Sequence, residues 1–139
     1  PLLFANSDQF VEWNSSEFLY KMQESGVDGG IVTFKAVHPK WSFAEVDSAG
    51  FVKRVAEKDP ISDNATVGYY YWKCGSDFVK YAERMIEKDQ RVNGEFYVCP
   101  VYNQAIEDGK QVTTYQATRM WGLGTPEDLN TFLSEHSHA

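Results

Sequence analysis

Trp121-Gly122-Leu123-Gly124-Thr125-Pro126-Glu127-Asp128-Leu129 is the stretch on which the reading of this chain turns. Thr125 suits the cap of a helix, Pro126 its first position, and Asp128, three residues after the cap, completes a variant capping box. Acidic residues in that first turn also suit the positive end of the helix dipole. Leu129, Phe132 and Leu133 then supply the apolar stripe of a short helix. By themselves these residues specify a strand, a turn and a helix; the rest of the chain gives them meaning.

Working outward, Leu2 to Ala5 reads as a buried strand that ends in polar Asn6-Ser7-Asp8. Asn14 or Ser15 opens a helix with Phe18, Leu19 and Met22 inside, and Gly26 stops it. Ile31 to Phe34 is a second strand. Residues 43–47 and 51–56 pair as a hairpin across Asp47-Ser48-Ala49-Gly50. Val67 to Trp72 is an aromatic strand. A helix starts near Ser76 and Asp77 with Phe78, Ala82, Met85 and Ile86 inward. Another starts near Pro100, turns Val101, Tyr102, Ala105 and Ile106 inward, and ends at Asp108-Gly109. Residues 111–116 make the last strand before the Trp121 corner, and the tail from His136 to Ala139 reads as frayed. Strands and helices mix around one hairpin, which predicts an α/β fold with a mixed β-sheet and flanking helices.

The 139 residues fit one domain, and 42% apolar with 15% aromatic content is enough for a core. A net charge of −7 argues against non-specific nucleic-acid binding. It also means that a phosphate-bearing ligand needs local cations or a metal. No apolar run approaches the ~20 residues of a membrane span. Cys74 and Cys99 lack CxxC spacing and read as two buried reduced thiols, which points to a cytoplasmic protein.

Three places offer chemistry. Asp8 falls just past a strand end, where open α/β sheets bind ligands; a carboxylate there holds Mg²⁺ or simply caps the turn. Glu57 and Lys58 close the hairpin and either project together into a cleft or belong to a solvated charge cluster with Lys53, Arg54 and Asp59. A carboxylate accepts from sugar hydroxyls and a lysine supplies a point charge for phosphate. Tyr69-Tyr70-Tyr71-Trp72 offers rings for stacking or for the core. His38 reads as a loop histidine, and neither GxGxxG nor GxxxxGK occurs.

Taken in order, Leu3-Phe4-Ala5-Asn6-Ser7-Asp8-Gln9, Glu57-Lys58-Asp59-Pro60, Gly68-Tyr69-Tyr70, Asn93-Gly94-Glu95-Phe96-Tyr97 with Tyr102-Asn103, and the Trp121 stretch form a pattern. It resembles the sugar-phosphate nucleotidyltransferases, the family related to glucose-1-phosphate thymidylyltransferase and mannose-1-phosphate guanylyltransferase. The closest flavour is the small bacterial branch of surface-polysaccharide synthesis, and the likeness covers nearly all of the chain. It implies a partial nucleotide-diphospho-sugar transferase (Rossmann-like) fold. Asp8 would bind Mg²⁺ weakly, Glu57 would hold sugar hydroxyls, Lys58 the sugar phosphate, and Gly68 would sit close to the ring beside Tyr69. The family's reaction joins a nucleoside triphosphate to a sugar-1-phosphate and releases pyrophosphate, by in-line attack on the α-phosphorus.

Two departures shape the expectation. The family's Gly-rich, nucleotide-binding half precedes the position of Asp8 and has no counterpart in residues 1–139. Many relatives also carry Asp, a second metal ligand, where this chain has Gly122. Residues 1–139 are therefore expected to form a single domain equivalent to the second, sugar-binding half. That domain would bind sugar-1-phosphate or nucleotide-sugar, be inactive alone, and form a homo-oligomer through the strand of residues 2–5 or its sheet neighbours. A non-catalytic binding remnant and an oligomeric assembly module are the alternatives.

Overall fold

The computed structural model describes residues 1–136; Ser137, His138 and Ala139, read above as part of a frayed tail, lie outside the described residues. In chain order the first elements are β1 (Leu2–Ala5), β2 (Gln9–Glu12), α1 (Ser15–Ser25), β3 (Gly29–Lys35), β4 (Ser42–Val46), β5 (Val52–Glu57) and β6 (Asn64–Trp72). There follow α2 (Gly75–Glu87), α3 (Val101–Glu107), β7 (Val112–Gln116), β8 (Arg119–Gly122) and α4 (Pro126–His136).

The aromatic strand β6 organises the molecule. One of its edges takes β3, which in turn pairs in parallel with β7. Its other edge takes two partners end to end: β1 along Tyr69 to Trp72, and β4 at Ala65. Hairpin partner β5 completes a six-stranded mixed sheet in which only β3 and β7 run parallel. The turn between β4 and β5 forms as its residues dictate. The Asp47 carboxylate accepts from the backbone N–H groups of Ala49 and Phe51, at 2.8 and 3.0 Å.

Alternation along β6 sends its rings to opposite faces. Tyr70 and Trp72 join Tyr81, Met85, Val101 and Tyr102 under α2 and α3. Tyr71 joins Phe18, Met22 and Val67 under α1. Trp72 stacks on Tyr102 at 4.3 Å, and the Tyr102 hydroxyl donates to the carbonyls of Tyr71 (2.7 Å) and Gly30 (3.2 Å). A fully buried phenol thus keeps its polar end satisfied, as burial requires. Helix α1 begins as expected, with the Asn14 side chain accepting from the Glu17 N–H at 2.9 Å, and ends at left-handed Gly26.

Several expectations need correction. Ile86 is 52% exposed, because the inner stripe of α2 centres on Phe78, Tyr81 and Met85 and leaves it at the margin. Cys74 is exposed where the chain leaves β6 for α2, so only Cys99 is a buried thiol; both are free. His136 is the last residue of α4 rather than part of a frayed end. That helix buries none of its described residues, with Leu129 and Leu133 at 42% and 51% exposure. Residues 9–12, left without an assignment by their sequence, form β2, which pairs with β8 in a separate two-stranded sheet. Among the described residues, no helix is long and apolar enough to cross a membrane.

Candidate functional site

The end of β1 meets the Trp121 stretch through the small sheet. Pairing of β2 with β8 sets Gln9 opposite Gly122, and the Leu123 N–H donates to the Asp8 carbonyl at 2.8 Å. On the other side, the Asn6 N–H donates to the Gly68 carbonyl at 3.0 Å. Gly68 has φ +83, and a Cβ there would lie 2.1 Å from Asn6 Nδ2. It also marks the point where β6 exchanges β4 for β1, so only glycine fits both the turn of the strand and the close approach.

Between these elements opens a cleft of about 300 Å³ lined by Asn6, Asp8, Ser42, Glu57, Gly68 and Asp128, among others. A neighbouring recess shares Asn6, Asp8, Ser42 and Glu57 and extends to Tyr97 and Cys99. The floor is polar and mostly buried. Ser42 Oγ donates a short hydrogen bond to the Glu57 carboxylate, and the hydroxyls of Thr66 and Tyr70 pair at 2.8 Å. Burial raises the Glu57 carboxyl above the usual range, against the opposing pulls of Ser42 and of the Lys58 charge. Burial also pushes the Cys99 thiol up to about 12, so it stays protonated and is no nucleophile.

Glu57 enters the cleft, whereas Lys58 turns aside. Lys58 is left-handed, with φ +56, and its N–H donates to the Trp41 carbonyl at 2.9 Å. Its ammonium donates to the Tyr97 hydroxyl at 2.8 Å and lies 4.9 Å from the centre of that ring, at the margin of the recess. Tyr69, expected beside the ring of a bound sugar, packs its own ring on Trp13 at 4.8 Å, and Tyr70 lines the cleft in its place. The reason is parity: consecutive strand residues face opposite sides.

The Gly122 position has a counterpart that the sequence did not disclose. The Asp128 carboxylate stands where a side chain at 122 would reach, 3.3 Å from the position of a Cβ there. A Cβ on Gly124 would lie 2.7 Å from Asp8 Oδ2. The two glycines thus leave room for two carboxylates. Asp128 keeps its capping role through a backbone N–H donated to Thr125 Oγ1 at 3.1 Å, while its side chain pairs with Lys40 at 3.4 Å. Its contacts with Thr125, and then Lys40, lower its carboxyl below the usual range. Among the described residues, no group of three or more His, Cys, Asp or Glu gathers as a metal cage. Two carboxylates in an open cleft do fit Mg²⁺, which binds through one or two such groups and fills its other positions with water and phosphate oxygens. Gln9 also lines the cleft and keeps a buried Nε2 without a hydrogen-bond partner. Ser42 and Asp128 were missed as site residues, while Tyr70 and Tyr97 were named only within longer runs; Asp128 carried a signal as an acidic residue close to the bare Gly122.

No family model matches the sequence, and no curated protein does. Solved structures do. A nucleoside-diphosphate-sugar pyrophosphorylase from Vibrio cholerae matches 96% of this chain with a TM-score of 0.79 and 24% identity, over 57% of its own length. A candidate glucose-1-phosphate thymidylyltransferase from Bacillus anthracis, in complex with sucrose, matches 96% of this chain at TM-score 0.74 and 15% identity, over 53% of its length. A UDP-glucose pyrophosphorylase from Acinetobacter baumannii matches 96% of this chain at TM-score 0.71 and 15% identity, over 51% of its length. The fold is therefore that of the carboxyl-terminal half of sugar nucleotidyltransferases. The chain spans about half the length of these proteins.

Proposed function

We propose that residues 1–139 are the sugar-phosphate-binding half of a sugar-1-phosphate nucleotidyltransferase, which makes a nucleoside-diphosphate sugar and pyrophosphate. The observation that carries this is the convergence of Asp8, Glu57 and Gly68, three positions far apart in sequence, on one polar cleft. Glu57 accepts from sugar hydroxyls on the buried floor, and Ser42, whose hydrogen goes to Glu57, accepts from them as well. Lys58 at the margin meets the phosphate. Asp8, with Asp128 nearby, would hold Mg²⁺, which neutralises phosphate charge when bound. Tyr69 supports the site from behind, through Trp13, rather than by touching sugar. These residues include no Gly-rich loop to cradle a triphosphate, so they do not turn over by themselves. Nucleotide-sugar binds the same cleft through its sugar. The setting we infer is the cytoplasm, in the supply of activated sugars for surface polysaccharide.

Calorimetric titration with glucose 1-phosphate, mannose 1-phosphate and galactose 1-phosphate, with and without Mg²⁺, tests this. Binding to at least one, weakened about ten-fold or more by Glu57→Ala or Lys58→Met, is expected. Absence of binding to all three, or indifference to both substitutions, defeats the proposal.

A second proposal rests on β1. Among the described residues it pairs with β6 alone, and Leu3 is 42% exposed. An open strand edge recruits another strand. In isolation the chain therefore associates with a second copy through residues 2–5. Light scattering at micromolar concentration checks this, and a monomer refutes it.

A further inference from the structure

We propose that Tyr97 is a positioning residue, which holds the Lys58 ammonium at the margin of the cleft so that the site distinguishes phosphorylated from unphosphorylated sugars. This rests on the assignment of Lys58 to the phosphate.

A lysine on a flexible stem is a poor anchor unless something fixes it. Here the backbone does part of the work: Lys58 is held left-handed, its N–H on the Trp41 carbonyl. The phenol does the rest. The Tyr97 hydroxyl donates to the Glu95 carboxylate at 2.5 Å, so its lone pairs are left for Lys58, which donates to them at 2.8 Å while its charge lies over the ring. One ammonium hydrogen is used in this way, and the other two remain for a ligand. Glu95 is itself fixed, because it exchanges two backbone hydrogen bonds with Val92, at 2.9 and 3.0 Å, across the left-handed pair Asn93-Gly94. A rigid turn thus orients a carboxylate, the carboxylate orients a phenol, and the phenol orients an ammonium. Tyr97 also lines the recess that contains Asp8 and Glu57, so the ammonium is fixed beside the cleft and not at a remote surface. The charged or titratable groups that face Lys58 are Tyr97, Glu57 and Glu95, and with them its ammonium is held more strongly protonated than an ordinary lysine.

Two measurements on the intact chain test this. With ¹³C-labelled lysine and Lys58→Met to assign the signal, Lys58 should titrate lower in Tyr97→Phe and in Glu95→Gln than in the wild type. In parallel, Tyr97→Phe should weaken binding of glucose 1-phosphate and of inorganic phosphate about ten-fold, the low end of the loss of one hydrogen bond to a charged group, and leave binding of glucose unchanged. Unaltered Lys58 titration in both variants overturns the Tyr97 proposal, as does an equal loss of glucose binding, which marks a merely structural role. If the wild type binds neither phosphate compound, or Lys58→Met binds them equally well, the assignment of Lys58 to phosphate falls instead. Glu95→Gln leaves the ring in place and serves should Tyr97→Phe fail to fold.

Discussion

The two walls of the cleft are built by different means. The sheet wall rests on Trp72, Tyr102, Ile31 and Phe43, none more than 1% exposed, and contributes Ser42, Glu57, Thr66 and Tyr70. The opposite wall is the β2–β8 pair with α4. There Phe10 is 44% exposed, no described residue of α4 is buried, and half-buried Phe132 and His136 pack on Trp121, the one large ring of this wall that is buried. That wall contributes Asp8, Gly124 and Asp128. The groups that would read sugar hydroxyls therefore sit on a deep core, and the carboxylates that would meet a metal sit on a shallow one. Few buried apolar contacts mean a low cost of local opening. The shallow wall is the one expected to open first.

Substitutions can break or sharpen this contrast. The largest effect is expected from Tyr102→Ala, which removes a stacked, fully buried ring and the donor for two backbone carbonyls. It should cost about 3–5 kcal/mol in urea unfolding, and a loss below about 1 kcal/mol would show that the sheet wall is not the stronger one. Gly68→Ala comes next. A positive φ and the clash with Asn6 should cost of order 1–3 kcal/mol, together with loss of sugar-phosphate binding in the same calorimetric titration. On the shallow wall, Phe132→Ala should cost only about 1 kcal/mol, and hydrogen exchange should show the β2–β8 amides opening before those of β6 in wild type and variant alike.

The smallest expected effect is the pH dependence of Glu57. Burial raises its folded carboxyl, while in the unfolded chain it ionises in the ordinary range. As pH rises through that ordinary range the unfolded state ionises first. The folded state then loses relative stability until its own raised value is passed, and the deficit persists above it. Glu57→Gln should therefore melt slightly higher than wild type at pH ~7, and the difference should vanish by pH ~4, near the ordinary glutamate value. A variant that melts lower at neutral pH would show that the Ser42 hydrogen bond outweighs burial.

Much of the fold was legible because local rules and global packing agree. Asn14 and Gly26 bound α1, Asp47 builds the turn of the hairpin, and Thr125 caps α4, each as its residue type demands. What stayed hidden depended on partners distant in sequence. Gln9-Phe10-Val11-Glu12 is too short and too mixed to declare a strand, and its pairing partner is at the other end of the chain. Tyr69-Tyr70-Tyr71-Trp72 is apolar on both faces, so no alternation reveals which ring meets the cleft. Asp128 was recognised through its backbone, as part of a capping box, while its side chain serves a different surface. The sideways turn of Lys58 follows from a left-handed φ that lysine itself does not signal.

The register of β2 against β8 has a consequence for the order of assembly. The β4–β5 hairpin closes a short loop and can form as soon as both strands exist, which fixes Ser42 opposite Glu57. Gln9 reaches Gly122 only after nearly the whole chain has been drawn together. Closing so long a loop is slow and is rewarded late. During synthesis the hairpin that carries Ser42 and Glu57 is therefore expected to form before Asp8 has anything to face.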